Sequence, residues 1–208
     1  MESSDKTVAI ARQFTSRILH APYEARVDAV RNQFIDQAFH DWVFVLDSDE
    51  VLAERAGEEL KSFIRSQGKH YDAFALPRFN YICGQIMRGS DWYPDHQIRL
   101  FRKGCVYWKD TIHEWPIVTT GPHRLKPLLP PDCPHIHHHN YETLRSFLQK
   151  QLDYALQGNY DMDPDSFDFS DYIARAYEEL ALRCDPDKDG ELSHALSLVM
   201  AWDAILRG

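Results

Sequence analysis

No stretch of this sequence approaches the roughly 18 uncharged apolar residues that a membrane-spanning helix needs. The polar opening MESSDKT also lacks the apolar core of a secretory signal. The expectation is a cytoplasmic chain. Basic residues are in deficit, 23 Lys and Arg against 32 Asp and Glu, for a formal net charge of -9. A surface of that sign has little to offset phosphate charge, which argues against nucleic acid as a partner. It would also be repelled by anionic lipid, so membrane contact is not expected. Any anionic small ligand would need a metal cation or a local basic patch. Cysteine is sparse: Cys83, Cys105, Cys133 and Cys184 are scattered and form no CxxC pair, so reduced thiols are expected instead of a disulfide framework or a zinc site. Internal repeats, low-complexity tracts and a basic glycine-rich phosphate loop are all missing.

What is present suits a globular fold. The 208 residues are 44% hydrophobic and 12% aromatic, enough for one substantial core burying about 70% of the extended surface. Ser3, Ser4 and Asp5 can cap a helix that runs into TVAIARQF, and RILH (Arg17 to His20) reads as a short strand. In EARVDAVRNQFIDQAF, Val27, Val30, Phe34, Ile35 and Ala38 share one helical stripe. WVFVL (Trp42 to Leu46) is apolar on both faces, as a central parallel strand covered by helices would be. A helix over about Ala53 to Gln67 follows. This alternation is that of an α/β sheet. After Gly68 come the strand-like YDAFALPRFNYI and HQIRLFRKG, flanking the turn-rich CGQIMRGSDWYPD; Pro116 to Pro134 reads as a connecting loop. Three helices are expected at the end, over about Tyr141 to Gln157, Phe169 to Arg183 and Glu191 to Arg207.

The chemistry begins where WVFVL ends in Asp47, Ser48, Asp49 and Glu50. In open α/β sheets, ligands bind outside the carboxyl ends of strands. Asp47 and Asp49, two apart, can both approach one hard cation, and oxygen ligands suit Mg²⁺ or Mn²⁺. That cation could in turn neutralise a diphosphate. The alternative is an acidic loop whose Asp49 and Glu50 favour the dipole of a following helix.

Five blocks then follow in order: SSDKTVAIARQF, ARVDAVRNQFIDQAFHDWVFVLDSDEVL, DWYPDHQIRLFRKG, IHEWPIV and HHNYETLRSFLQK. Together they resemble family 2 glycosyltransferases of the GT-A type, and within these the branch of lipopolysaccharide-core β-glycosyltransferases and related bacteriocin glycosyltransferases. DPDKDGELSHALSLVMAWDAIL resembles the C-terminal helix of that branch. The resemblance implies a GT-A-like (Rossmann-like) α/β fold, a mixed sheet flanked by helices. Residues 1–134 would form the glycosyltransferase core and 135–208 a helical lobe. It implies transfer of a sugar, with inversion, from a nucleotide-diphosphate donor to an acceptor hydroxyl on a carbohydrate, lipid-linked or protein acceptor. Mg²⁺ or Mn²⁺ would be held by Asp47 and Asp49, and a carboxylate would deprotonate the acceptor. Glu114, beside His113 in TIHEW, is the first choice for that base and Asp95 the second. His138 matches a recurring His-Tyr position and is a further metal or phosphate contact. Asp91, Trp92 and Tyr93 suit the sugar, by aromatic stacking and hydroxyl acceptance, and Arg99 and Arg102 suit diphosphate oxygens. Members of the family begin with a strand, an N-E loop and a second strand ahead of the turn in which Met1 falls. The core is therefore expected to be N-terminally truncated, with a homo-oligomer as one way of covering the gap. Two rivals stand beside this reading: a non-catalytic glycosyltransferase-like binding or assembly module, and a nucleotidyltransferase.

Two decoys accompany these residues. In HIHHHNY adjacent histidines of an extended segment point alternately to opposite sides, so His135, His137 and His139 are read as surface residues, not zinc ligands. DPDKDGELSHAL imitates a calcium loop, but Leu196 occupies the twelfth place where a bidentate Glu belongs, and a helix-capping loop is expected.

Overall fold

The computed structural model describes residues 5–21, 27–109, 115–157 and 169–207. In chain order its elements are α1 (Thr7–Ala11), α2 (Val27–Asp36), β1 (Trp42–Phe44), β2 (Glu50–Leu52), α3 (Ala56–Gln67), β3 (Ala73–Ile82), β4 (Gln85–Ile86), β5 (Asp95–Arg102), β6 (Val106–Tyr107), β7 (Ile117–Val118), a 3-10 turn (Pro122–Arg124), β8 (Leu125–Pro127), β9 (Ile136–Tyr141), α4 (Leu144–Gln157), α5 (Phe169–Arg183), α6 (Pro186–Asp189) and α7 (Glu191–Arg207). The fold is α/β, a mixed sheet flanked by helices, consistent with the GT-A-like class. The chain divides into two compact units, and β3 and β5 each contribute to both.

The first unit comprises residues 1–45, 63–75 and 98–126. WVFVL was expected to be a central parallel strand. Instead β1 is three residues long, is half-buried, and pairs antiparallel with β5 in the register Trp42↔Arg102, Val43↔Phe101 and Phe44↔Leu100. Its two apolar faces have separate uses. Val43 and Val45 pack on a core of Ile35, Ala73, Ala75, Ile98, Phe101, Val106 and Trp108. The Trp42 ring meets Phe74, with centroids 5.7 Å apart, and a Cβ on Gly68 would lie 2.9 Å from Trp42 Cζ2. Asn32 clamps α2 to the strand region, giving its amide to the Trp108 carbonyl at 2.7 Å and accepting from the Trp108 N–H at 3.0 Å. Asp72 ties the unit together: its carboxylate accepts from Arg124 Nε at 2.9 Å and Nη2 at 3.0 Å and from Arg102 Nε at 3.4 Å. RILH is not a strand; Arg17 donates to the Gln37 carbonyl and lies over the Phe39 ring instead. At the amino end the cap position of α1 is Lys6, which makes no side-chain bond, and Asp5, one residue earlier, accepts from the Thr7 N–H at 2.9 Å.

The second unit comprises residues 46–62, 76–97 and 127–208. Here β9 is the organising strand. It runs parallel to β3, pairing Asn80↔His138, and antiparallel to β2, pairing Glu50↔His138. The β3–β4 hairpin turns through Cys83 and Gly84, whose φ values of 52° and 77° are the two positive angles that a type I′ turn requires. Ile82, Met87, Tyr141, Phe147 and Leu196 form its core, with Trp92, Leu192, Val199 and Met200 packed around them. α5 and α7 span the intervals predicted from periodicity. Between them the acidic stretch caps a helix as expected: Asp185 accepts from the Lys188 N–H at 3.2 Å at the start of α6.

Candidate functional site

The acidic stretch after β1 is a tight turn, not the end of a long strand. The Glu50 N–H donates to the Asp47 carbonyl at 3.1 Å, and the Asp47 N–H donates back to Glu50 Oε2 at 3.1 Å. Glu50 is thereby folded inward, only 4% exposed, while Asp47 and Asp49 stay half-buried. The His139 N–H holds the turn to β9 through the Asp49 carbonyl at 2.8 Å. Glu50, His138 and Asn80 then lie in one row across three strands, so their side chains share a face of the sheet.

Asn80 decides the chemistry of that row. Its Nδ2 uses both hydrogens, one to the Trp92 carbonyl at 2.9 Å and one to Asp95 Oδ2 at 2.9 Å. A flipped amide would set its oxygen against those two acceptors, so Oδ1 must face His138 Nδ1, 2.7 Å away, and accept from it. The proton of His138 is thus fixed on Nδ1. Its Nε2 points at Asp49 Oδ2, 3.4 Å off. With the ring charged, Nε2–H donates to Asp49; that hydrogen bond, opposed by burial and reinforced by the ring's charge, holds the Asp49 carboxyl near about 2. With the ring neutral, Nε2 offers a lone pair beside an ionised carboxylate, which is the donor pair a cation needs.

A second polar group lies on the same strand as Asn80. Arg78 donates to Asp95 Oδ2 from Nε at 2.8 Å and from Nη2 at 2.5 Å, and to Glu50 Oε1 from Nη1 at 3.2 Å. Gln97 Nε2 adds a bond to Asp95 Oδ1 at 2.7 Å. Burial alone would raise the Asp95 carboxyl, but the Arg78 charge and the hydrogen bonds from Asn80, Arg78 and Gln97 outweigh it and leave it below the ordinary carboxylate range. Lys150, from α4, is bonded to Asn140 Oδ1. Burial lowers its ammonium while the Asp49 charge pulls the other way. Four carboxylates, those of Asp47, Asp49, Glu50 and Asp95, thus share this region with Arg78 and Lys150.

The sequence-derived candidates divide. Asp49, His138 and Asp95 are brought together through Asn80. The expected trio of Asp47, Asp49 and His138 is not gathered into one donor group; among the described residues no cluster of three or more His, Cys, Asp or Glu side chains could hold a metal. Of the three, Asp49 and His138 approach each other, at 3.4 Å. Asp91, expected at the sugar, is exposed and paired with Arg183 at 3.6 Å. Trp92, given the same role, has its ring taken by the edge of Phe147 and by Arg183, 4.8 Å from the ring centroid. Tyr93 stacks on Phe79 and bonds His135 Nε2 at 2.9 Å. Arg99 and Arg102 belong to the first unit. The diphosphate role expected of Arg102 gives way to a structural one, because its guanidinium is held by Asp72, by the Gly68 carbonyl at 2.9 Å and by the Trp42 ring. Arg99 is 5% exposed. His113 and Glu114 lie outside the described residues. The alternation read in the histidine run holds: Ile136 and His138 are buried, while His135 and His137 are half-buried and His139 is exposed. His135 and His137 are more engaged than surface residues, stacking on Phe79 and bonding Tyr81 respectively.

Arg78, Asn80 and Lys150 were missed. The available signal was an Arg and an Asn two apart inside an otherwise apolar strand, which puts two polar side chains on one covered face.

Comparison with known proteins gives this arrangement a context. Residues 2–120 match the model of a family described as glycosyl transferase family 2. The match takes in Asp47, Asp49, Arg78, Asn80 and Asp95 and stops short of His138 and Lys150. A TPR repeat-containing protein of Synechococcus elongatus is 43% identical over 60 residues, covering 29% of this chain and 15% of that relative's length.

Proposed function

The chain belongs to glycosyl transferase family 2, and on that premise we propose that it transfers a sugar from a nucleotide-diphosphate donor to an acceptor hydroxyl, with Asp49 and His138 holding a divalent cation. What carries the reading is the Asn80–His138–Asp49 relay, which aims an imidazole nitrogen at a carboxylate. A donor set of one carboxylate and one imidazole suits Mn²⁺ better than Mg²⁺, which prefers oxygen ligands. When bound, the cation supplies charge stabilisation to the departing diphosphate. Asp47 lies two residues before Asp49 in the same turn and adds negative charge to the same rim. Lys150, half-buried near Asp49, offers a cation to diphosphate oxygens.

For the base, Asp95 is the candidate that lies among the described residues, and its surroundings suit the role. Arg78 and Asn80 crowd Oδ2, leaving Oδ1 with Gln97 as its one hydrogen-bond donor among the described residues and a further lone pair for an incoming hydroxyl. In an inverting displacement the acceptor oxygen would attack the anomeric carbon as its proton passes to that Oδ1, and the bond to the diphosphate would break with its electron pair leaving on phosphate oxygen. A depressed carboxyl is a weak base but remains ionised in mild acid. General-base catalysis of this kind contributes on the order of 10²- to 10⁴-fold.

The test is calorimetric titration of UDP and UDP-sugars with and without Mn²⁺. Nucleotide binding that needs Mn²⁺ and disappears in Asp49→Ala and His138→Ala is the expected result. Nucleotide binding indifferent to both substitutions, or no Mn²⁺-dependent binding by the unaltered chain to any nucleotide sugar tried, ends the proposal. Asp95→Asn should keep the binding and lose turnover.

A further inference from the structure

One carboxylate of the imitation calcium loop is committed to another segment of the chain. Asp189 is fully buried, 0% exposed, and its carboxylate binds a distant segment of the chain. Its Oδ1 accepts from the Arg88 N–H at 2.6 Å, and the Gly89 N–H is shared between Oδ1 at 3.3 Å and Oδ2 at 3.1 Å. Its main-chain carbonyl accepts from Gln85 Nε2 at 2.7 Å. One residue of the helical tail therefore grips the loop from Gln85 to Gly89 at three backbone or side-chain donors. The grip is close. A Cβ on Gly89 would lie 2.7 Å from Lys188 Cδ and 2.8 Å from Asp185 Oδ2.

What the loop does next gives the grip a consequence. Ser90 and Asp91 take positive φ values of 54° and 57°, which non-glycine residues adopt only when the surroundings enforce it. The reversal lets the Trp92 N–H bond the Gly89 carbonyl at 2.8 Å and delivers the Trp92 carbonyl to Asn80 Nδ2 at 2.9 Å. That carbonyl is one of the two acceptors that fix which way the Asn80 amide faces. Asn80 in turn fixes the proton on His138 Nδ1.

We infer that Asp189 is a positioning residue for the Asp49–His138 pair: by holding the Arg88–Trp92 loop it sets the Asn80 amide and so keeps His138 Nε2 free to ligate. Asp189 touches neither donor nor acceptor. The claim rests on the proposed function for its purpose, but the geometry it concerns can be read without turnover. Removing a group that hydrogen-bonds a ligand directly, as Asn80 does His138, is worth roughly 10- to 100-fold in metal affinity, and the more remote Asp189 is expected at the lower end.

The readout is the ¹⁵N spectrum of the imidazole rings in the whole chain, with His138 assigned by its loss in His138→Gln, at a pH where its signals are those of the neutral ring. The unaltered protein should show a protonated Nδ1 and an unprotonated Nε2. Asp189→Asn, which faces two N–H donors with only one acceptor atom, should shift both signals toward the average of the two tautomers and weaken Mn²⁺ binding about 10-fold. Gly89→Ala perturbs the same contact from the other side and should do likewise, which keeps the claim testable should Asp189→Asn fail to fold. Ser193→Ala is the control, since the Ser193 hydroxyl donates to the Gly190 carbonyl at 2.8 Å at the same helix junction and not to the loop. An unchanged His138 spectrum in Asp189→Asn or Gly89→Ala overturns the inference, and so does an equal change in Ser193→Ala. Failure of the glycosyltransferase reading would show elsewhere, as Mn²⁺ binding that survives Asp49→Ala, while the imidazole spectrum still decides the role of Asp189.

Discussion

Replacing Arg78 by methionine, which keeps the length of the side chain and removes its charge, probes the polar centre of the second unit. The Arg78 side chain is 17% exposed, that of Glu50 0% and that of Asp95 23%. Without the guanidinium, Glu50 Oε1 loses its cation and Asp95 Oδ2 loses two of its donors. Breaking a buried ion pair by removing one partner costs about 3–5 kcal/mol. Arg78 and Asp95 both keep some water, which puts the expected loss near the lower end, about 3 kcal/mol. For a chain of this size that lowers Tm by roughly 6–12 °C. The loss should also depend on pH. In the unaltered protein the Asp95 carboxyl is depressed, so it contributes stability above the ordinary carboxylate value of about 3.9 that is lost as pH falls through its lower folded value. In Arg78→Met the burial effect is no longer countered by that charge, the carboxyl rises, and protonation relieves the variant as pH falls. The gap between the two proteins should be widest near neutrality and shrink toward about pH 4. Urea unfolding at both pH values, with the slope checked for constancy, measures it. Glu50→Gln added to Arg78→Met should recover part of the loss, since it removes the charge left behind. A gap under about 1 kcal/mol at neutral pH, or one unchanged in acid, would refute the claim that Arg78 is the counter-charge on which both carboxylates depend.

In the first unit, Asp72 is pulled to about 2, chiefly by its hydrogen bond from Arg124 and against the effect of its own burial. Its stabilisation is present above the unfolded carboxylate value of about 3.9 and is lost as pH falls toward 2, so Asp72→Asn should destabilise the protein by about 2 kcal/mol at neutral pH and flatten that part of the acid-unfolding profile. Thiol chemistry should be sharply selective. Cys83 is exposed in the β3–β4 turn, whereas Cys133 is buried and its thiol is pushed up to about 11. Ellman's reagent under native conditions should modify Cys83 at once and Cys133 only after denaturant is added; early labelling of Cys133, identified by peptide mass, would contradict the packing around β9.

The legible part of the fold follows from periodicity. α5 and α7 begin and end where the apolar spacing does, because each buries one stripe within the second unit and carries its own start signal, Glu191 immediately after the turn at Gly190 in the case of α7. WVFVL misled for an equally physical reason. A strand apolar on both faces is usually central and parallel, but here one face is used by the Ile35–Phe101–Trp108 core and the other by Trp42 against Phe74, so an antiparallel pairing with one strand satisfies the same pattern. Local hydrophobicity states that both faces are covered and is silent on what covers them.

The site was half legible for a related reason. Asp47 and Asp49 announce themselves by charge at the end of an apolar run, whereas Asp95 and His138 were named for their roles through the family resemblance. What joins them is register, which no local pattern contains. Asn80 and His138 are 58 residues apart and meet because β3 and β9 run parallel, and Arg78 reaches Asp95 across 17 residues and Glu50 across 28. A long apolar strand tolerates an Arg and an Asn only if each of their donors finds an acceptor, because an unpaired polar group there costs several kcal/mol. PRFN inside YDAFALPRFNYI therefore demanded carboxylate and carbonyl partners from elsewhere in the chain. The acidic turn at Asp47 to Glu50 and the Asp95 loop are the segments of the second unit that supply them. The excess of negative charge after WVFVL is consequently divided: Glu50 is turned inward to pair with the strand's own arginine, while Asp47 and Asp49 stay half-buried at the turn, Asp49 beside His138.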